Sequence, residues 1–260
     1  MNSSLILVAV LINVLEFTGS SPSKIRFLSD KSNHRIVGGH KVSIKKAPWI
    51  VQVIYNKDGL CGGSIISRTK ILSAAHCTVG RTRKLFVIRA GTAKLLVGGQ
   101  TRRTSKIIEH PLYKPYSHQN DISILFLRKR LNLSSRISMI GINKSPSVLH
   151  KGSKVTVNGW GLICETCGVS NTLRAVKVTA MNNDRCKKIY GPQIKILPSM
   201  FCCGLESGGK DSCKGDSGGP VTLGKKLVGI VSFGTGCARP NVPGVYTRVS
   251  YFASWIERYL

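Results

Sequence analysis

Short apolar runs separated by glycine and polar turn residues recur from residue 36 to the end of the chain. Trp49–Tyr55, Gly63–Ile66, Leu85–Arg89, Ile122–Leu127, Lys154–Asn158, Leu173–Thr179, Lys226–Ser232 and Gly244–Val249 each read as a strand bounded by turn signals. Strands in this number predict an all-β protein built of barrels or a sandwich. One segment departs from the pattern. In Ser250–Leu260, the side chains of Phe252, Trp255, Ile256 and Tyr259 fall on one face at helical spacing, which predicts a C-terminal helix.

The first residues follow another logic. Leu5 to Leu15 is an almost unbroken apolar run, too short to span a bilayer, and small residues Gly19, Ser20 and Ser21 follow it. It reads as a signal peptide over about residues 1–21, and no other run could cross a membrane. Residues 22–35 are polar and basic and end in Asn33-His34-Arg35, after which Ile36-Val37-Gly38-Gly39 opens the patterned region. Residues 22–35 are expected to be a propeptide cut after Arg35; the plain alternative is a linker that is never cut.

Composition narrows the class. The 260 residues are 42% hydrophobic with a mean hydropathy of +0.04, which suits a globular protein and excludes a disordered one. The length fits one large β domain or two of about 110 residues. Nine cysteines in a chain with a signal peptide imply disulfides, and the odd count leaves at least one thiol outside them. Sequons begin at Asn132 and at Asn143, the latter weakened by Pro146.

The net charge of +28 is extreme. Only four basic and two acidic residues precede Ile36, so +26 belongs to the folded part. That exceeds what solubility needs. It implies an anionic partner, a glycan or an acidic protein, while specific nucleic-acid binding is not expected of a secreted chain.

The chemistry concentrates in separated motifs. Lys214-Gly215-Asp216-Ser217-Gly218-Gly219-Pro220 sets a hydroxyl among glycines beside a carboxylate, with Asp211 six residues before the serine. Ser73-Ala74-Ala75-His76-Cys77 supplies a base, and Asn120-Asp121-Ile122-Ser123-Ile124-Leu125 an acid placed before an apolar run. Taken singly, a histidine or an aspartate is most often structural, as expected of His110 and His118, which lie in no motif. A serine, a base and an acid together are the parts of nucleophilic acyl transfer.

These motifs, with Asn158-Gly159-Trp160-Gly161 and Pro243-Gly244-Val245-Tyr246-Thr247-Arg248-Val249, resemble the trypsin-type members of the chymotrypsin-fold serine proteases over residues 36–260. The resemblance implies two antiparallel six-stranded β-barrels, about 36–140 and 141–260, with the active site between them and a C-terminal helix. It implies a secreted endopeptidase, made as a zymogen, with His76, Asp121 and Ser217 as catalytic residues and Gly215 and Ser217 as the oxyanion hole. Asp211 would sit at the floor of a pocket walled by Ser232, Phe233, Gly234, Gly236 and Gly244, selecting arginine or lysine. Phe233 stands where tryptophan is more usual. After cleavage at Arg35, a site such an enzyme would itself cut, the new Ile36 ammonium would pair with Asp216.

The resemblance also implies the disulfides Cys61–Cys77, Cys186–Cys202 and Cys213–Cys237. Cys164, Cys167 and Cys203 depart from the family pattern. A local Cys164–Cys167 bridge, a bond from Cys203 to either, and a redox pair are the readings open at this point. The loop from Ala90 to Thr101 has no acid, so no calcium is expected there, nor any other metal or cofactor. Protein or peptide substrates, no membrane and a monomer complete the expectation. The rival is a catalytically silent protein that uses the same fold to bind anionic glycans; intact His76, Asp121, Ser217 and Asp211 speak against it.

Overall fold

A computed structural model describes residues 36–56 and 59–260. The expected signal peptide (1–21), the propeptide (22–35) and Arg35 lie outside the described residues. Fourteen strands follow: β1 His40–Lys41, β2 Ile50–Tyr55, β3 Gly59–Ser67, β4 Lys70–Ser73, β5 Phe86–Ala90, β6 Gln100–Glu109 and β7 Ser123–Leu127 in the first half. In the second half come β8 Gly141–Ile142, β9 Lys154–Gly159, β10 Arg174–Ala180, β11 Met200–Gly204, β12 Pro220–Leu223, β13 Lys226–Phe233 and β14 Gly244–Arg248.

Strands β2, β3, β4, β7, β6 and β5 close into one antiparallel barrel. In the second, β9, β10, β11, β14, β13 and β12 pair antiparallel in a ring, with β1 and β8 added at its edges. Closure leaves no unpaired sheet edge within either ring. The strands of the first barrel fill it with Val51, Val53, Ile65, Ile71, Phe86, Ile88 and Leu125. The second packs Val155, Val157, Val176, Val178, Phe201, Val221 and Tyr246. The expected fold class is therefore the observed one.

The first and last described segments cross between the barrels. β1, from the N-terminal half, pairs with β10 of the second barrel. The helix α2, Ala253–Glu257, continues a short 3-10 turn at the C-terminus and packs Trp255 and Ile256 with Leu72, Ile122 and Ile124 of the first barrel and Leu227 and Ile230 of the second. A further helix, α1 (Asn183–Tyr190), had no apolar stripe to announce it. Its sequence is mostly polar. Its ends are set locally: Asn182 Oδ1 accepts from the Asp184 N–H at 2.7 Å, and Gly191 terminates it with φ +64°. Among the described residues no helix is long and apolar enough to cross a membrane.

Four disulfides join Cys61–Cys77, Cys164–Cys167, Cys186–Cys202 and Cys213–Cys237, and Cys203 is a buried free thiol. The local bridge is thus the arrangement adopted by the C-x-x-C pair.

Close packing makes one small residue obligatory. A Cβ on Gly63 would lie 2.6 Å from Ile71 Cγ2 and 3.0 Å from Val51 Cγ2, inside the first barrel. Overfilling a close-packed core costs about 1–3 kcal/mol. Gly63→Ala is expected to lower stability by about that amount, read from the midpoint of urea unfolding; an unchanged midpoint would refute the packing argument.

Candidate active site

The cleft between the barrels is assembled from the ends of strands. Beyond β4 the chain makes a 3-10 turn, Ala75–Cys77. The turn is held by Ser73 Oγ donating to the Gly62 carbonyl at 2.8 Å and by the Cys61–Cys77 bridge. This presents the partly exposed ring of His76. Asp121 lies just before β7, after Asn120, whose φ of +56° belongs to the region asparagine tolerates. Ser123 Oγ donates to the Ala74 carbonyl at 2.9 Å, drawing the two segments together.

Asp121 is buried, and its oxygens are fully engaged. Oδ1 accepts from the His76 backbone N–H at 2.8 Å. Oδ2 lies 2.7 Å from His76 Nδ1 and accepts from Ser232 Oγ at 2.5 Å. Burial alone would raise this carboxyl. The approach of His118, the bonds from His76 and Ser232 and the charge of His76 together hold it well below the ordinary carboxylate range. An ionised Asp121 fixes the proton of a neutral His76 on Nδ1 and leaves the lone pair on Nε2.

Ser217 comes from the loop before β12. Gly215 (φ +95°) and Gly218 (φ +77°) bend the backbone in ways other residues rarely adopt. The Ser217 carbonyl accepts from the Gly62 N–H at 2.7 Å, and a Cβ on Gly218 would fall 2.2 Å from Ser73 Oγ. The loop is thereby pressed against the first barrel beside the histidine turn.

Asp216 points the other way, wholly buried. It accepts from the Gly161 N–H at 2.8 Å and the Cys213 N–H at 3.0 Å. A Cβ on Gly159 or Gly161 would strike this carboxylate, so the Asn-Gly-Trp-Gly motif is the hole that receives it. Burial, only partly offset by those two bonds, pushes its pKa up to about 6. Ile36 begins a short turn, and the Val37 carbonyl accepts from the Asp211 N–H at 3.2 Å.

A pocket of about 200 Å³ opens beside Ser217, lined by Asp211, Ser232, Phe233, Gly234, Gly236 and Gly244 among others. Asp211 accepts from the N–H groups of Ser212 (2.8 Å) and Ala238 (3.2 Å) and from the Tyr246 hydroxyl (3.2 Å). Burial outweighs these donors and raises its pKa to about 6. Such a carboxylate gains strongly from an incoming cation.

Several contributors were not legible in the motifs. Tyr246 and Ser212 support Asp211, and Thr247 Oγ1 donates to the Asp121 carbonyl at 2.8 Å. Ser232, expected only as pocket wall, also bonds the Asp121 carboxylate. The Cys164–Cys167 loop carries Glu165, which accepts from the Cys237 N–H at 2.6 Å and pairs with Arg239 at 2.8 Å beside Gly236. The unexpected loop thus braces the pocket rim. His118, expected to be structural, stands with its Nδ1 3.8 Å from Asp121 Oδ2. The signal was its place three residues before Asp121. His110, by contrast, packs on Phe252 and Trp255.

Comparison with known proteins agrees with this geometry. The trypsin family model matches residues 36–256. The vitellin-degrading protease of Bombyx mori is 36% identical over 248 residues, 95% of this chain and 92% of its own length. Trypsin eta of Drosophila melanogaster is 37% identical over 238 residues, 89% and 90% of the two chains. The clotting factor G beta subunit of Tachypleus tridentatus is 37% identical over 243 residues, 86% and 79% of the two chains. With its two barrels, its cleft and these relatives, the chain belongs to the trypsin family of serine proteases.

Proposed function

We propose that this chain is a secreted serine endopeptidase, made as a zymogen, activated by cleavage after Arg35 and hydrolysing peptide bonds after arginine or lysine. The observation that carries the reading is the buried Asp211 carboxylate in the same pocket that Ser217 lines. A long cationic side chain held by Asp211 brings the following carbonyl to Ser217. The Ser217 hydroxyl attacks that carbonyl carbon while His76 Nε2 takes its proton. Asp121 holds the Nδ1 proton and stabilises the imidazolium, which then protonates the leaving amine; water repeats the sequence to release the acyl group. The N–H groups of Gly215 and Ser217 stabilise the oxyanion, roughly 3–4 kcal/mol per donor. The silent-binder alternative is not favoured, because His76, Asp121, Ser217 and Asp211 are all present.

The surface charge supports an anionic partner as well. Of the nine acids after Arg35, Asp121, Asp211 and Asp216 are buried in the site. Glu165, Asp184, Glu206 and Glu257 are paired with Arg239, Lys187, Arg185 and Lys144. The remaining lysines and arginines far outnumber the acids left. A cleft of about 650 Å³ on the second barrel collects Lys151, Lys187 and the half-buried Arg248 with no carboxylate in its lining.

Three outcomes test these readings. The protein cut by limited trypsin treatment is expected to hydrolyse an arginine-linked chromogenic amide and to be labelled at Ser217 by a fluorophosphonate. Asp211→Ser should lower kcat/KM on that amide about 10²–10⁴-fold, the cost of an unpaired buried charge. KM for the amide should rise as pH drops through about 6, because protonation removes the negative charge of Asp211. No turnover together with no labelling would overturn the enzyme reading; a flat KM from neutral to mildly acid pH would overturn the role of Asp211.

The second outcome concerns activation. Asp216, raised from 3.8 to about 6, makes the folded chain bind more protons than the unfolded one between those values, so its contribution to stability falls as pH rises through that window. An ammonium beside it would remove this loss. In Ser217→Ala protein, cleavage after Arg35 should therefore raise stability at neutral pH by about 1–3 kcal/mol, with the gain fading above about pH 8 as the amine deprotonates. Calorimetric scans of cut and uncut protein measure it, and equal transition temperatures would refute the pairing. Third, the protein should be retained on heparin and released by salt, with Lys151→Glu/Lys187→Glu eluting earlier; passage without retention would remove the anionic partner.

A further inference from the structure

A thiolate can exchange with a disulfide only where it can reach one of the two sulfurs, so access decides which bridge of a folded protein reacts. Three of the four bridges are shielded. Cys61–Cys77, Cys186–Cys202 and Cys213–Cys237 each contain at least one buried cysteine. Cys164–Cys167 differs: both its residues are partly exposed, and Glu165, Thr166, Gly168 and Val169 around them are exposed. The free thiol of Cys203 is buried and cannot act as an internal attacker.

We propose that the Cys164–Cys167 bridge is an exchange site for a small anionic thiol, and that its reduction loosens the rim of the Asp211 pocket. The exchange itself stands without any catalytic reading; only its effect on a substrate rests on the function proposed above.

Glu165 links the bridge to the pocket. Its Oε1 accepts from the Cys237 N–H at 2.6 Å and from Arg239 Nε at 2.8 Å, and its Oε2 accepts from Arg239 Nη2 at 3.1 Å. The bonds from Arg239 and from the Cys237 amide hold its carboxyl below the usual carboxylate range. Between these two partners lies Ala238, whose N–H donates to Asp211 Oδ2 at 3.2 Å. The tip of the loop thus fixes the residues on either side of an amide that the pocket carboxylate uses.

The base of the loop is held separately. The Leu162 N–H donates to the Lys214 carbonyl at 2.8 Å, and Leu162 pairs with Val169. Within the tip the backbone bonds are long, 3.3 Å from the Cys167 N–H to the Cys164 carbonyl and 3.4 Å from the Ile163 N–H to the Gly168 carbonyl. The bridge is the covalent constraint on where Glu165 stands. Freed of it, the tip regains conformational entropy and Glu165 leaves the rim, while the base keeps its place.

Charge favours the incoming group. Arg239 and Lys214 both act on Glu165 as nearby cations, in a chain of net charge +28. A positive field concentrates anions and favours the thiolate over the thiol. One thiolate attacks a bridge sulfur; the S–S bond breaks, a mixed disulfide forms, and the other cysteine leaves as a thiolate and takes a proton. A second thiolate attacks the reductant sulfur of the mixed disulfide and frees the remaining cysteine. The bridge gains two electrons and two thiols are oxidised to one disulfide, so an oxidised partner restores the bridge by the reverse steps.

The test uses Ser217→Ala protein cleaved after Arg35 and held in graded buffers of reduced and oxidised glutathione. Freed thiols are alkylated and assigned by peptide mass spectrometry. Cys164 and Cys167 should be labelled before any other bridged pair. Protein reduced only there should bind a fluorescent aryl amidinium about 3–10-fold more weakly, the loss expected of one exposed charge-assisted contact. In active protein KM for the arginine amide should rise by the same factor with kcat unchanged, and reoxidation should reverse it. Cys164→Ser/Cys167→Ser should behave as the reduced protein from the start and ignore glutathione. Glu165→Ala should weaken the amidinium equally while its bridge still exchanges. Glu165→Gln, which can still accept from the Cys237 N–H, should recover part of the affinity, as a loss of fold would not allow. Reduction of another bridge first, or an unchanged amidinium affinity after selective reduction, would overturn the proposal. Weakened amidinium binding on reduction in a protein without turnover would uphold it and refute the enzyme reading instead.

Discussion

Among the described residues three side-chain carboxylates are buried, and the need to satisfy each of them governs the cleft. An ionised carboxylate taken from water is tolerated only where donors or a counter-charge replace hydration. Asp121 draws its donors from both barrels: the histidine turn of the first and Ser232, at the end of β13, of the second. Thr247 of β14 binds its carbonyl. The geometry around Asp121 and the contact between the barrels are therefore one arrangement. Were the barrels to part, Asp121 would lose Ser232 from its carboxylate and Thr247 from its carbonyl together.

The other two are satisfied less completely, and the difference matters. Asp121 is held well below the ordinary range, whereas Asp211 and Asp216 are each pushed up to about 6 because burial exceeds what their donors return. A carboxylate in that condition is poised for a cation. On the proposed reading, Asp211 receives one from a substrate through the open pocket and Asp216 receives one from the chain's own new terminus. On that reading the same imbalance would serve selectivity at one position and activation at the other.

Small residues and an extra loop finish the site. Gly159 and Gly161 make room for Asp216, and Gly244 leaves 2.8 Å between a Cβ and Asp211 Oδ1, too little for any side chain. The Cys164–Cys167 bridge closes a short loop whose Glu165 ties the pocket rim through Cys237 and Arg239. Against this well-braced wall, His118 is the exception. It is held by ring contacts with Phe233 and His76 while its Nδ1 goes without a hydrogen bond.

The strand pattern alone predicted an all-β protein of barrels or a sandwich, because glycine-rich turns and short apolar strands leave strong local patterns. The two-barrel class, the roles expected of His76, Asp121, Ser217 and Asp211, and the pocket walls came from the resemblance of the motifs to a known family. Strands such as Gln100–Glu109 were harder to read: its burial alternates only weakly, and Arg102, Arg103 and Lys106 extend from it. Helix α1 was invisible to periodicity for a similar reason, being set by a cap and a glycine. What only the tertiary structure decided were relations across distance. Ser232 bonds a carboxylate 111 residues away, Tyr246 one 35 residues away, and Glu165 meets Arg239 across 74. Local pattern reports what a segment buries, but not which distant segment will answer it. That is settled only when barrel closure brings the donors to the buried charge.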